Sequence, residues 1–415
     1  MKRYFLLLMF SGVVVLLFPA DVEFSGLLDS TVNYTAGAGD AAAHAFGLEE
    51  YANIRLRARA GEKATFFAAV NLVALSGTYL ESAGLLGGIK ANPYFASTPF
   101  VYGENYAAAL ELERLYFRVN GDYIDVEAGL LRINLGYGQV WGSSDFLNPR
   151  NPLFPNARPR GVLGVDAAFY PADSLKLTGF FVAPKNPLET EGGGFIPGLA
   201  LDKHWDRASL QALYAFETPS SKGNSDATGV EDFGMGLHRF GLSLKADLEL
   251  GFVADALYTL NPSSVNGGGF RGIDGLSAGA GFDYSFLDGD LYVLFEYLFN
   301  GSSSATAWNA GNNLMGWMNY HYLYGMALYR FNDFCSLSFA TVFCFDDLSF
   351  SPIASLDYEV FQGLSLNLTA RLALDQKTLG GDRAGELGPI PPNPDGSAGA
   401  SGARVIVNAG ARLRF

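Results

Sequence analysis

Apolar and polar side chains alternate with a period of two in segment after segment of this chain, and that rhythm limits its fold more than any other feature. Successive residues of a strand point to opposite faces, whereas a helix repeats about every 3.6 residues. From Val22 to Tyr34 the even positions are Val22, Phe24, Gly26, Leu28, Ser30, Val32 and Tyr34, and the odd ones are Glu23, Ser25, Leu27, Asp29, Thr31 and Asn33. Ala52, Ile54, Leu56, Ala58 and Ala60 then alternate with Asn53, Arg55, Arg57 and Arg59, which puts three arginines on one face. Leu242, Leu244 and Ala246 oppose Ser243, Lys245 and Asp247; Leu248, Leu250, Phe252, Ala254, Ala256 and Tyr258 oppose Glu249, Asp255 and Thr259. The pattern is cleanest where Leu364, Leu366, Leu368, Ala370, Leu372 and Leu374 alternate with Ser365, Asn367, Thr369, Arg371 and Asp375. A soluble sandwich would solvate the polar face, whereas a barrel in lipid must turn it toward a lumen.

The amino terminus points to export, which bears on the choice between these settings. Met1, Lys2 and Arg3 precede an uncharged run from Tyr4 to Phe18, the layout of a secretory signal peptide, with cleavage expected near Ala20. Residues 1–20 are therefore a leader and 21–415 the mature chain, with no cysteine at the junction for a lipid anchor. Loss of Lys2 and Arg3 leaves 26 basic against 42 acidic residues, a formal charge of −16, which argues against a nucleic-acid partner. Beyond the leader, the nearest candidate for a helical span, Ala64 to Leu80, is uncharged but diluted by Asn71, Ser76, Gly77 and Thr78 and reads as strand rather than helix. Cys335 and Cys344 fall in one extended segment, roughly 30 Å apart, too far to bridge.

Connections alternate between tight and long. Gly61-Glu62, Gly121-Asp122, Pro171 to Asp173, Asp288-Gly289 and Asn332-Asp333 read as short turns. Residues 80–105, 134–161, 261–270, 300–315 and 377–401 are rich in Gly, Pro, Asn and Ser and read as outward loops. A barrel whose termini share one side needs an even strand count, which a weak strand from Phe195 to His204 supplies. The fold class is all-β: a transmembrane, antiparallel, up-and-down barrel of about 18 strands, with 16 as the other solution if Asp346-Asp347 is a bend rather than a hairpin. Tyr34, Tyr123, Tyr170, Trp205, Phe286, Phe331, Phe334, Tyr358 and Phe361 stand near strand ends, where aromatic girdles meet the bilayer boundary.

The chain ends with Ala403, Val405, Val407, Ala409, Ala411, Leu413 and Phe415 on one face and Arg404, Asn408, Arg412 and Arg414 on the other. This resembles the closing strand of Gram-negative outer-membrane barrels, whose final aromatic is part of the signal read by the barrel-insertion machinery. The resemblance implies that role for Phe415, and an outer-membrane location in a diderm bacterium. Glu113 to Arg118, Gly129 to Asn134, Trp141-Gly142 and Asn148-Pro149-Arg150-Asn151-Pro152 are similar to a segment of porin-like families. For a porin-like chain, the resemblance implies a long loop, 134–161, folded inward, and three chains associating in the membrane.

Candidate lumen residues follow from these patterns. Trp141, Asp145, Arg150, Arg158 and Arg160 lie in the long link and are expected at a constriction. Arg55, Arg57 and Arg59, with Arg114 and Arg118, are expected to face Asp125 and Glu127 across a hairpin or the lumen, unless Arg118 and Asp125 merely pair across their turn. His44, His204, His238 and His321 form no nucleophile or metal arrangement, and Asp226, Glu231 and Asp232 lack the spacing of a calcium loop. The expected function is passive diffusion of small hydrophilic solutes, without enzymatic activity, metal or cofactor, in contact with outer-membrane lipids. A display barrel acting through loops 80–105 and 377–401, or a channel for hydrophobic compounds, are the alternatives.

Overall fold

The period of two is realised as sheet throughout the described residues, from Asp21 to Arg414. The structure, a computed structural model, describes residues 21–37, 44–78, 99–103, 105–148, 150, 152–153, 161–183, 194–219, 236–260, 273, 275–301, 317–382, 384–388 and 403–415. Residues 1–20, expected as a leader, Arg158, Arg160, Asp226, Glu231, Asp232 and most of the proposed display loops lie outside those residues.

The strands are β1 (Asp21–Gly37), β2 (His44–Ala60), β3 (Ala64–Gly77), β4 (Pro99–Tyr102), β5 (Tyr106–Asn120), β6 (Ile124–Leu131), β7 (Val162–Ala172), β8 (Leu175–Val182), β9 (Ile196–Trp205) and β10 (Ala208–Glu217). They continue as β11 (Leu237–Asp247), β12 (Gly251–Leu260), β13 (Leu276–Phe286), β14 (Leu291–Asn300), β15 (His321–Asn332), β16 (Cys335–Cys344), β17 (Phe350–Phe361), β18 (Leu364–Leu372) and β19 (Ala403–Arg414). Each pairs antiparallel with the next, β3 passes directly to β5, and β19 pairs back onto β1, so eighteen strands close a ring. The short β4, which the alternation did not predict, lies against Ala107 to Ala109 of β5, above the point where β6 ceases to pair.

Most expected elements fall into place. The weak strand near Phe195 is β9, and Asp346-Asp347 sits in a true hairpin between β16 and β17, which excludes the count of sixteen. Ala64 to Gly77 is strand. One segment differs: Leu248 to Leu250, counted with a strand from its alternation, forms the turn between β11 and β12, where Leu248 is exposed. Cys335 and Cys344 are free thiols at opposite ends of β16.

Parity separates two environments. On β1, Phe24, Leu28 and Val32 are exposed to the outside while Asp29 and Asn33 are buried within, and on β2 Ile54 is outward while Asn53 is fully enclosed. An exposed wall of Leu, Phe and Val is costly in water and at home in acyl chains. Tyr123, Trp205, Phe286, Phe331, Phe334, Tyr358 and Phe361 ring the short-turn end on that outer surface, whereas Tyr170, expected with them, points inward beside Asp125 because Phe169 takes the outward position of β7. Glu50 is the outlier. It shares its face with Leu48 and Ile54, between Phe46 and Leu56, and accepts a hydrogen bond from Ser30 Oγ at 2.7 Å.

Candidate functional site

After β6 the chain turns into the barrel, and residues 132–148 run across its interior. The backbone explains how. Six consecutive amides, Gly136 to Trp141, donate to side chains of the inner wall: Gly136 N to Gln211 Oε1 (2.7 Å), Tyr137 N and Gly138 N to Asp255 (3.2 and 2.7 Å), Gln139 N and Val140 N to Glu296 Oε2 (3.0 Å each), and Trp141 N to Glu296 Oε1 (2.8 Å). An irregular backbone cannot sit dry without such partners, and β10, β12 and β14 supply them as inward carboxylates and an amide. Gly136 holds φ near +75°, and a Cβ on Gly138 would collide with the Asp255 carboxylate and the backbone of Gly142, so this run of glycines is what lets the chain approach the wall.

Side chains complete the attachment. Tyr137 OH donates to Asp202 (3.1 Å), Gln139 Nε2 to Asp283 (2.8 Å), and Ser144 and Ser243 hydroxyls meet at 2.8 Å. Arg150 Nη1 donates to the carbonyls of Gly138 and Gln139, and Asn148 Nδ2 to that of Ile133, which ties the far limb of the segment to its near limb. Burial pushes Asp145 up from 3.8 to about 7, against the pull of Arg150 and of the bonds from Asn148. It also raises the Tyr137 phenol, helped by Asp202.

Beneath the segment, part of the barrel interior is apolar. Leu131, Ile133, Leu135 and Phe146 pack on Phe180, Val182, Leu213, Ala215 and Leu257. Trp141 is fully enclosed, with its indole Nε1 bonded to the Glu296 carbonyl and its ring against Trp317 (5.4 Å) and Tyr322 (5.9 Å). Near the loop end Asp347 and Glu386 approach Cys344, but both carboxylates already accept bonds, from Asn319, Ser349, Tyr322 and the amides of Met318 and Glu386.

The opposite side of the interior stays polar. Inward positions of β18, β19, β1, β2, β3 and β5 include Asn367, Thr369, Arg412, Asp29, Asn53, Arg55, Arg57, Arg59, Asn71, Arg114 and Arg118. A β-bulge between Ala69 and Val70 of β3 falls opposite Glu113, so Glu113 and Arg114 both line one cavity of about 280 Å³ with Glu23, Arg55, Arg57 and Tyr116.

Neither a family model nor a curated protein matches this chain. Solved structures do. OccAB3 of Acinetobacter baumannii superposes with a TM-score of 0.53 at 10% identity, over 95% of this chain and 99% of that one. A BenF-like porin from Pseudomonas fluorescens Pf-5 gives 0.53 at 10% identity, with the same shares covered. OccK5 (OpdH) of Pseudomonas aeruginosa gives 0.50 at 10% identity, over 95% and 98% of the two chains. The fold is that of a porin.

Within the porin fold the candidate residues separate into two groups. Arg55, Arg57, Arg59, Arg114 and Arg118 do share one wall, but they do not face Asp125 and Glu127 across open space. Arg118 pairs with Glu127, its direct neighbour in register, and not with Asp125, which stands opposite Asn120. Arg57 and Arg59 lie 3.7 Å from Glu23, Arg114 lies 3.7 Å from Glu113, and Arg55 Nε donates to Asn53. Trp141 and Asp145 are buried in the crossing segment, so they shape it without lining open water, and Arg150 braces it from within. Gln211 and Asp202 had no individual signal in the sequence as anchors; the alternation marks Asp255, Asp283 and Glu296 only as inward acids.

Phe415 closes the ring. Gly26 N donates to its carbonyl (2.8 Å) and its own amide to that of Gly26 (3.1 Å), with the ring lying over the glycine where any side chain would intrude.

Proposed function

We propose that this chain is a porin-like channel of a bacterial outer membrane, through which small hydrophilic solutes diffuse past a constriction built by residues 132–148. The observation that carries this reading is the fate of the inner carboxylates. Asp202, Asp255, Asp283 and Glu296 are engaged by the crossing segment, while the arginines of β2 and β5 face the polar remainder of the interior. The segment and the apolar packing under it fill the side of β6 to β16; water and solute pass along β18, β19, β1, β2, β3 and β5.

That path has a sign. Arg55, Arg57, Arg59, Arg114 and Arg118 are met there by Glu23, Glu113 and Glu127, which leaves an excess of positive charge on the short-turn half of this wall, while Glu49 and Glu111 stand nearer the loop end. Fixed charge within a screening length of about 8–10 Å biases which ions pass, so anionic solutes are favoured. Planar-bilayer reversal potentials in a salt gradient test this: the native channel is expected to prefer chloride over potassium, and Arg55→Glu/Arg57→Glu to shift the reversal potential toward the cation side. A silent bilayer removes the channel, and an unmoved potential removes the charge filter. The terminal Phe415 fits recognition by the insertion machinery, and outer-membrane lipids are the surrounding partner.

A further inference from the structure

Three of the four histidines stand at the loop end of the outward face, and each makes the same contact. His44 Nδ1 lies 2.6 Å from Tyr34 OH, His238 Nδ1 2.9 Å from Tyr214 OH, and His321 Nδ1 2.6 Å from Tyr297 OH. The register is identical in each hairpin: Ala36 faces His44, Phe216 faces His238 and Phe299 faces His321, with the tyrosine two residues earlier on the same face. Each tyrosine ring stacks on its imidazole, at 5.8, 6.2 and 6.1 Å, and a phenylalanine flanks every pair (Phe46, Phe240, Phe299). His204 differs: it sits at the short-turn end and bonds Ser209.

An apolar girdle needs no imidazole, so the hydrogen count matters. When the tyrosine hydroxyl donates to Nδ1, the neutral ring carries its proton on Nε2, which is a free donor. When Nδ1–H donates instead, the tyrosine O–H is the free donor, and a protonated ring leaves both. In every state each pair therefore offers at least one donor beyond its own internal bond. The pairs lie on the lipid side at headgroup depth, where the strongest acceptor is a phosphate ester. Asp346 stands close to the Tyr297–His321 pair, its Oδ2 accepting the amides of Tyr320 and His321 (3.0 and 2.8 Å), and its charge makes this the weakest of the three sites for a phosphate. The hairpins β1–β2, β10–β11 and β14–β15 are separated around the ring, so each pair takes its own lipid.

We infer that the three tyrosine–histidine pairs are headgroup sites for phosphate-bearing lipids of the leaflet at the loop end. The inference is independent of what passes through the lumen. The purified full-length protein, incubated in mild detergent with phosphatidylglycerol and then stripped by gel filtration, is expected to retain about three more lipid phosphates per chain than the variant His44→Phe/His238→Phe/His321→Phe, matching the three sites. A phosphate-free galactolipid is expected to show no such difference, and single-channel conductance is expected to stay unchanged. Should the triple variant fail to fold, each single variant is expected to lose about one lipid. Equal retention by native and variant protein overturns the assignment, as does equal retention of the galactolipid. Release by millimolar inorganic phosphate assigns the pairs to a free anion and overturns it too.

Discussion

Replacing Glu296 by alanine should free the tip of the crossing segment while leaving the barrel standing. Its two oxygens accept three amides, from Gln139, Val140 and Trp141, at 2.8–3.0 Å. Hydrogen bonds to a charged acceptor contribute about 1.5–3 kcal/mol each, and lumen water recovers part of that when they break, so a net cost of roughly 4 kcal/mol is a fair central value. At about 1.4 kcal/mol per decade, the population of the released tip rises by on the order of 10³. Residues 136–138 keep their bonds to Gln211 and Asp255, and Trp141 keeps its contacts with Trp317 and Tyr322, so the release is local. Single-channel recording is expected to show larger and noisier steps for Glu296→Ala. Glu296→Gln should lie between it and the native channel, because the amide nitrogen cannot accept. If a heat-modifiable, correctly folded Glu296→Ala channel records like the native one, residues 139–141 do not limit the lumen and the constriction has been misplaced.

The Asp145 carboxyl gives the segment a pH response: its pKa rises from 3.8 to about 7 on burial, so docking is strongest below about pH 4, weakens as pH climbs toward 7, and carries its full cost above that. The protection factors of residues 142–148, with exchange corrected for its base-catalysed intrinsic rate, should therefore fall between about pH 4 and 7 in the native chain and stay level in Asp145→Asn; parallel curves would contradict this. Gly26→Leu drives a side chain into the Phe415 ring, and about 1–3 kcal/mol of overpacking should appear as a lower urea midpoint for barrel unfolding, which an unchanged midpoint would refute. Glu50→Leu removes a carboxyl from the outward wall and should stabilise the vesicle-inserted barrel by about 1–2 kcal/mol, with destabilisation as the contrary result.

The barrel was legible because its wall is a strict code: where one face meets lipid and the other water, the spacing of Leu364 to Leu372 or of Val22 to Tyr34 leaves a strand as the sole solution. The code fails where both faces are apolar. Phe180, Val182, Leu213, Ala215 and Leu298 point inward onto the crossing segment and not into water, so β8, β10 and β14 lose their alternation near the loop end. That loss was itself a signal of an occupied interior. Glycines and prolines marked residues 134–161 as unusual, but the anchoring of Gly136 to Trp141 rests on backbone amides, which every residue but proline carries, and on acids more than sixty positions away. Asp125 and Glu127 were both legible as acids that Arg118 could face, but the choice between them depends on register, and the Gly121–Asp122 turn places Glu127 rather than Asp125 beside it.

The seam between β1 and β19 joins residues 383 positions apart, as in the bond from Arg412 Nε to Asp29 Oδ2 at 2.9 Å. Every other wall contact forms between neighbours as the chain emerges, but this one waits for the last strand. Until then the growing sheet carries two raw borders that recruit any strand within reach. Assembly is thus a race between sealing and sticking, and a chain shortened at either strand has no finishing line.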